Sequence, residues 1–491
     1  MDEAARSSAP RIAVVGGGAG GIALAVKLKK AGIESFTIFE AAEGPGGTWW
    51  HNRYPGCEID SDGSLYSYSF KTYDWSRTHA GAPEILQYIQ DTIADHQLAP
   101  HFRFRTRVKS VTYDDATGTQ TVTTEAGDSE VFDVVVTAVG FLNDPRYPQW
   151  PGLGEFRGAA FHSSRWDHSV DLTGKRVAVA GSGSTGTQIV PAVAPVAGHV
   201  YAFQRDPGWI TKKPVREFTA AERRRQTSPA YRRLRRIKHW LGVLNLYIGK
   251  EFYHVGSKKN RQRQAAGLAY IEEMFHDRED LKKAVTPDHP YGGKRQVYNS
   301  GYYPALLRDN VELVTSPIVR VTPTGVIDAT GMEREVDVLV MATGFRAQDY
   351  LSTLVVRGRG GRLLHEEWED GAYAYAGMQV PGFPNLYFIY GPNTNGAGSY
   401  MFCAEQQAGY ITRDIERMIR TRAKGFDVRP ELTRRYNAWL QKRMVGTSWL
   451  EAETHNYYRS PSGSIVTQYP EGPISYWLLM RTRRLASVAV Q

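Results

Sequence analysis

Two cysteines, Cys57 and Cys403, are all that the 491 residues contain. They form no CxxC pair and no zinc-type spacing, which argues against a disulfide scaffold, a structural zinc site and a redox dithiol. No other metal site is expected. Long apolar runs are missing too: nowhere do about 18 apolar residues follow one another, so no transmembrane helix is expected. The start, MDEAARSSAP, lacks the basic-then-apolar layout of a signal peptide. These absences point to a cytoplasmic protein in a reducing compartment. The length exceeds what one core fills and implies two or three domains.

One sign of charge is in excess, +9 overall, which raises nucleic acid and membrane surfaces as partners. The excess is local. Arg216 to Lys283 holds 17 Lys and Arg against 8 Asp and Glu, a surplus equal to that of the whole chain. Its stretch RRLRRIKHWLGVLNLYIGKEF reads as a basic amphipathic helix, with an apolar run too short to span a bilayer. A solvated helical insertion with one buried stripe is the expectation, with a weak membrane-surface contact as its alternative. No helix-turn-helix or RNA-binding signature accompanies it, so no nucleic-acid partner is expected.

Glycine is where it needs to be. RIAVVGGGAGGIALAVKLKKAG runs an apolar strand, Ile12 to Val15, into Gly16, Gly18 and Gly21 and then a helical pattern. In this GxGxxG spacing the first glycine permits the turn and the second admits a pyrophosphate. The third lets helix and strand pack while the helix N-terminus faces the negative charge. The next strand, SFTIFE, ends in Glu40, placed to accept hydrogen bonds from an adenosine ribose. KRVAVAGSGSTGTQIVPAVA repeats the design with Gly181, Gly183 and Gly186, and its next strand, HVYAFQR, ends in Arg205. A guanidinium there suits a 2′-phosphate, favouring NADP over NAD, although Asp206 follows directly. Lys294 is a second cation for the same phosphate.

Two buried β-runs ending in glycine, FDVVVTAVGF (132–141) and VDVLVMATGF (336–345), fit strands at which the chain leaves a nucleotide domain. The fold class is therefore α/β, with two Rossmann-like dinucleotide-binding domains, the second inserted in the first, and a helical excursion. The expected boundaries are 1–145 and 346–491 for the first domain and 146–208 and 291–345 for the second, with the linker at the start of 146–208. The basic helical insertion is 209–290. Two dinucleotide sites suggest electron transfer between cofactors, and without a cysteine pair a disulfide reductase is unsuitable.

GPGGTWWHNRYPGCEID carries Gly47, Trp49, Tyr54, Pro55, Gly56 and Asp60 in the pattern GxWxxxxYPGxxxD, where aromatic rings can cover a flavin. FRGAAFHSSRWDH carries Phe156, Gly158, His162, Trp166 and Asp167, an FxGxxxHxxxW pattern followed by Asp. Read by itself this second segment is a loop with a lone histidine. The combination resembles the Baeyer-Villiger monooxygenases, flavoenzymes dependent on FAD and NADPH, and the resemblance covers nearly the whole chain. It implies insertion of one oxygen atom from O2 beside a ketone carbonyl, through a C4a-peroxyflavin, to give an ester or lactone.

By the same resemblance Arg295, in GGKRQVYNSGYY, stabilises the peroxide anion and Asp60 holds it, the bland alternative being an inter-domain salt bridge. Gly16, Gly18, Gly21, Glu40, Gly47, Thr48, Trp49, Asp60 and Tyr66 would bind FAD. Gly181, Gly183, Ser184, Thr185, Gln188, Arg205 and Lys294 would bind NADPH. His162 and Trp166 would couple domain rotation to cofactor engagement. The loop YGPNTNGAGSYMFCAEQQ places Asn393, Thr394 and Asn395 at the substrate, and resembles the acetophenone-oxidising branch, which implies an aryl or bulky ketone. Two other activities fit the same cofactors: N- or S-oxygenation, and an NADPH oxidase releasing hydrogen peroxide.

Overall fold

A computed structural model describes residues 9–226, 228–247, 253–453, 456–482 and 487–490. Two five-stranded parallel sheets organise it. The first runs, in spatial order, Leu386–Phe388, Val134–Thr137, Ile12–Val15, Phe36–Phe39 and Phe102–Arg103. The second runs Val311–Val314, His199–Phe203, Arg176–Ala180, Val338–Met341 and Ala159–His162. The central strands IAVV, VVVT and VLVM are buried at every residue, as parallel strands covered on both faces require. Because the second sheet is built between residues 159 and 341 while the first closes with Leu386–Phe388, one dinucleotide-binding fold is inserted in the other.

The helix Ala19–Lys30 buries residues on every side because it lies between the first sheet and the long helix Tyr400–Thr421. Ser399 caps that long helix by accepting from the Phe402 N–H. A four-stranded sheet (Val355–Arg357, Val108–Tyr113, Gln120–Thr124, Ser129–Phe132) flanks the first fold.

Residues 209–290 form the helices Ala220–Gln226, Pro229–Tyr247, Lys258–Phe275 and Glu279–Val285. One side of Pro229–Tyr247 is anchored to the first fold: Arg235 pairs with Asp62 at 2.8 Å, Arg236 donates to the Tyr68 carbonyl, and Trp240 packs at a tilt against Phe402. Leu234, Ile237 and Leu241 point outward. Part of the apolar run LGVLNLYI lies outside the described residues. Among those described, no helix is long and apolar enough to cross a membrane.

The segment 156–168 departs from the loop expected. Ala159–His162 is the edge strand of the second sheet, in register with Val338–Met341, and Ser163–Arg165 is a 3-10 turn. The lone-loop reading failed because a four-residue strand gains its hydrogen bonds from a partner some 180 residues away, which local pattern does not reveal. Gly158 is demanded by that docking: a Cβ there would stand 2.3 Å from the Asp337 carbonyl oxygen and 2.6 Å from the Phe156 ring. Gly158→Ala should cost about 2 kcal/mol by overpacking and lower the melting temperature by several degrees. Gly154→Ala, whose Cβ would meet nothing within 4 Å, should leave it unchanged in the same differential scanning experiment.

Candidate active site

The first glycine loop leaves its strand at Gly16 (φ +111°), where a Cβ would press to 2.7 Å on the Ala138 carbonyl oxygen. A Cβ on Gly21 would reach 2.1 Å from the Gly16 oxygen, so the helix packs this close only without a side chain. Gly47 (φ +54°) faces Gly18, and the Gly46 N–H donates to the Gly17 carbonyl at 3.1 Å, bringing two glycine loops edge to edge. Glu40 is buried and accepts from the Gly17 and Ala42 N–H groups, each at 2.7 Å. Each oxygen keeps a further lone pair for a ribose hydroxyl. Exposed Thr48 opens a short helix in which Trp49 is buried, and the Trp49 indole N–H donates to the Tyr66 hydroxyl at 3.1 Å. This cradle fits FAD.

At the second loop, Gly181 (φ +119°) and Gly186 are imposed by close approach, their Cβ atoms falling 2.4 Å from the Ala342 oxygen and 1.8 Å from the Gly181 oxygen. Gly183 differs. Its Cβ would meet nothing within 4 Å, so its bareness keeps the loop open in front of Ser184 and Thr185, which begin a helix with no side-chain cap. An open, positive helix end of this kind suits a phosphate. Arg205 and Lys294 converge there on one carboxylate oxygen of Asp206, at 3.0 and 3.5 Å. Two cations against one anion leave a net positive charge, which fits the 2′-phosphate of NADPH. Burial pulls Lys294 below its usual value while Asp206 pulls it back up.

Gln188 reaches across to the first fold. Its side-chain oxygen accepts from the Tyr54 hydroxyl at 2.9 Å and its amide donates to the Glu58 carbonyl at 3.0 Å. The side chain thus clasps the YPG loop and keeps one amide hydrogen and one lone pair for a further partner. Asn393 and Thr394 also find partners within the protein. Both are buried; Asn393 donates to the Ile465 and Gln468 carbonyls from a left-handed backbone (φ +54°), and Thr394 accepts from Gln407. They shape the loop from inside. Asn395 is half-buried and accepts from the Tyr390 hydroxyl at 2.9 Å.

Arg295 and Asp60 come together across the two folds, Nη2 to Oδ2 at 2.9 Å. Arg295 is surrounded by protein yet leaves 43% of its side chain open, as a residue on the wall of a cleft would. Burial weakens its charged form, but the Tyr457 hydroxyl and the Asp60 carboxylate outweigh this and hold the guanidinium well above its usual value. Tyr457 was not anticipated from sequence: it falls in an irregular C-terminal stretch, and only the fold carries it to Arg295. Its ring joins Phe141, which also stacks on Tyr390, giving the cleft an aromatic wall. Cys57, nearby, has its thiol pushed up to about 12 by burial, and Cys57 and Cys403 are both free.

His162 sits where the chain passes between the folds. The two passing segments pair antiparallel: Pro145 bridges Phe345, Arg146 N–H donates to the Gly344 carbonyl, and Arg346 N–H to that of Asp144. The imidazole is fully buried. Its Nδ1 accepts from the Ser164 N–H at 3.2 Å, which leaves the proton on Nε2 to donate to the Gly344 carbonyl at 3.0 Å. Tyr147 and Phe345 flank the ring. Trp166 packs edge-on against Phe161, Phe156 fills the core beneath the second sheet, and exposed Asp167 caps its turn by accepting from Ser169. The signature thus fastens the edge strand of the second sheet beside the crossing segments.

Burial depresses the His162 pKa, so its contribution to stability is complete above the unfolded value of about 6.5 and is lost as pH falls below it. His162→Ala should cost about 2 kcal/mol by leaving buried partners unpaired. His162→Gln should recover part of this and lack the acid-side slope, as thermal melts from pH 5 to 8 will check. Arg205→Ala and Lys294→Ala should each raise the KM for NADPH roughly ten-fold while leaving that for NADH unchanged, read by steady-state kinetics with both coenzymes.

A flavin-binding monooxygenase-like family model matches residues 9–219. A Baeyer-Villiger monooxygenase of Pseudomonas aeruginosa is 35% identical over 94% of this chain and 87% of its own length. The structure of an oxidised steroid monooxygenase bound to NADP superposes with a TM-score of 0.88 at 29% identity, covering 98% of this chain and 99% of that one. OTEMO in complex with FAD and NADP also gives 0.88, at 26% identity over the same shares. With two glycine cradles, a cationic phosphate pocket and an arginine facing the cleft between them, the chain belongs to the Baeyer-Villiger monooxygenases, FAD- and NADPH-dependent enzymes that oxidise ketones with O2.

Proposed function

We propose that the chain turns a ketone, O2, NADPH and a proton into an ester or lactone, NADP+ and water, with Arg295 and Asp60 as its catalytic residues. The observation that carries this assignment is a permanently charged guanidinium, surrounded by protein, open to the cleft and held by a carboxylate at 2.9 Å. FAD, when bound, supplies the chemistry of accepting hydride from NADPH and activating O2. Arg295 stabilises negative charge as it develops on oxygen in a site that excludes bulk water, and it has no proton to lose at working pH. Asp60 orients the guanidinium from the side away from the cleft. Gly16, Gly18, Gly21, Glu40, Gly47, Thr48, Trp49 and Tyr66 hold FAD. Gly181, Gly183, Ser184, Thr185, Arg205 and Lys294 hold NADPH, and Gln188 clasps the two folds.

The paired crossing segments around 145 and 345 support domain boundaries at 145 and 345, and the helical excursion supports 209–290 as an insertion. The aromatic wall of Phe141, Tyr390 and Tyr457 supports an aryl or bulky ketone as substrate. Two buried, unpaired cysteines fit a cytoplasmic enzyme.

The test is turnover of the FAD-loaded enzyme with NADPH, isotopically labelled O2 and a panel of ketones, amines and sulfides. One labelled oxygen atom should appear in the ester. Arg295→Ala should lower ester formation by roughly 10²–10³-fold, with NADPH then oxidised to NADP+ as O2 is reduced to hydrogen peroxide, and Asp60→Asn by roughly 10–100-fold. Peroxide as the sole product of the parent enzyme with every substrate would replace this reading by an NADPH oxidase. Oxygenation of amines or sulfides alone would replace it by an N- or S-oxygenase.

A further inference from the structure

We propose that Lys213, anchored by Glu58, is a positioning residue that fixes the Asp60–Arg295 pair; the proposal rests on the catalytic assignment of that pair made above. Lys213 follows the short strand Ile210–Thr211, which pairs with Val297–Tyr298 at the root of the helical excursion. Its N–H donates to the Ser300 hydroxyl at 2.9 Å, and that hydroxyl donates to its carbonyl at 3.1 Å. The Lys213 main chain is thereby tied to the same stretch that carries Arg295.

The side chain then turns inward, 1% exposed, toward the YPG loop of the first fold. Its ammonium stands 2.7 Å from one oxygen of Glu58 and 4.0 Å from Oδ1 of Asp60. The other Glu58 oxygen takes Arg77 at 3.2 Å, and the other Asp60 oxygen takes Arg295. Arg77, Glu58, Lys213, Asp60 and Arg295 therefore form a chain of alternating sign that passes from one fold to the other.

An ammonium this buried is retained only where its charge is matched, and here it is matched by two carboxylates. Ile59, between them, is buried, consistent with an extended stretch that puts Glu58 and Asp60 on one side of the loop. Two carboxylates on one side repel, and Lys213 between them removes the repulsion. Asp60 is left with one oxygen on Arg295 and the other facing a fixed cation, so its carboxylate has one favoured orientation. Because Lys213 and Arg295 come from the inserted half while Glu58 and Asp60 come from the other, this orientation exists only with the two halves docked. Glu58 occupies a variable position of the GxWxxxxYPGxxxD pattern, so the clamp belongs to this chain and not to the motif.

The experiment compares Lys213→Met, Lys213→Arg, Glu58→Gln and Asp60→Asn, each loaded with FAD, for ester formed per NADPH consumed, for the KM of NADPH, and for the Asp60–Arg295 contact in crystal structures without turnover. Lys213→Met should lose roughly ten-fold in ester per NADPH with the KM of NADPH changed by less than about two-fold. Its Asp60–Arg295 contact should be broken or rotated. Lys213→Arg should restore most of the yield, and Glu58→Gln, which keeps the shape of the side chain, should show an intermediate loss even where Lys213→Met does not fold. Full coupling in Lys213→Met or in Glu58→Gln, beside a crippled Asp60→Asn, would overturn the proposal alone. Full coupling in Asp60→Asn would overturn the catalytic assignment and the proposal with it.

Discussion

Everything this enzyme does across its cleft depends on two chain segments that pair where one fold gives way to the other. Residues 144–146 and 343–346 exchange backbone hydrogen bonds as a minimal antiparallel ladder. This short ladder is where the chain crosses between the two dinucleotide-binding folds. His162 restrains the ladder from the side. Its neutral imidazole, donating to the Gly344 carbonyl and accepting from Ser164, fastens the edge of the second sheet to the exit of the neighbouring strand Val338–Met341. The histidine shares no hydrogen bond or ion pair with Asp60 or Arg295; it braces the crossing between the folds.

Those distances are where the charges were invested. Gln188 bridges to Tyr54 and Glu58, Lys213 to Glu58, and Arg295 to Asp60, all between the YPG loop of one fold and elements of the other. The loop that carries Asp60 is thus also the docking surface of one fold on the other. Gly56 shows how tight the docking is: a Cβ there would fall 2.5 Å from the Gln188 carbonyl oxygen. The glycine of YPG is required by the other fold as much as by its own turn.

The basic excursion has a structural use for part of its charge. Arg235 and Arg236 are turned inward to Asp62 and the Tyr68 carbonyl, and Arg223 reaches Asp74. The cations that looked like a surface for an anionic partner thereby fasten the insertion to the first fold, while others remain in solvent.

The amino-acid sequence by itself determined the two nucleotide loops, their insertion order, the cofactors and the family. These depend on glycine spacing and on short runs of β-branched residues, whose physical demands are local. It also paired Arg295 with Asp60, through the resemblance. Tertiary structure decided what local pattern cannot carry. The segment 156–168 became an edge strand because Val338–Met341 was there to pair with it. Gln188 was drawn to Tyr54, and Asn393 and Thr394 were turned into the interior by carbonyls and an amide from residues 407–468. Tyr457 was brought to Arg295, and Lys213 to Glu58, over separations of more than 150 residues. A side chain's partner is chosen by whichever unpaired polar group the fold buries beside it, and no spacing along the chain encodes that choice.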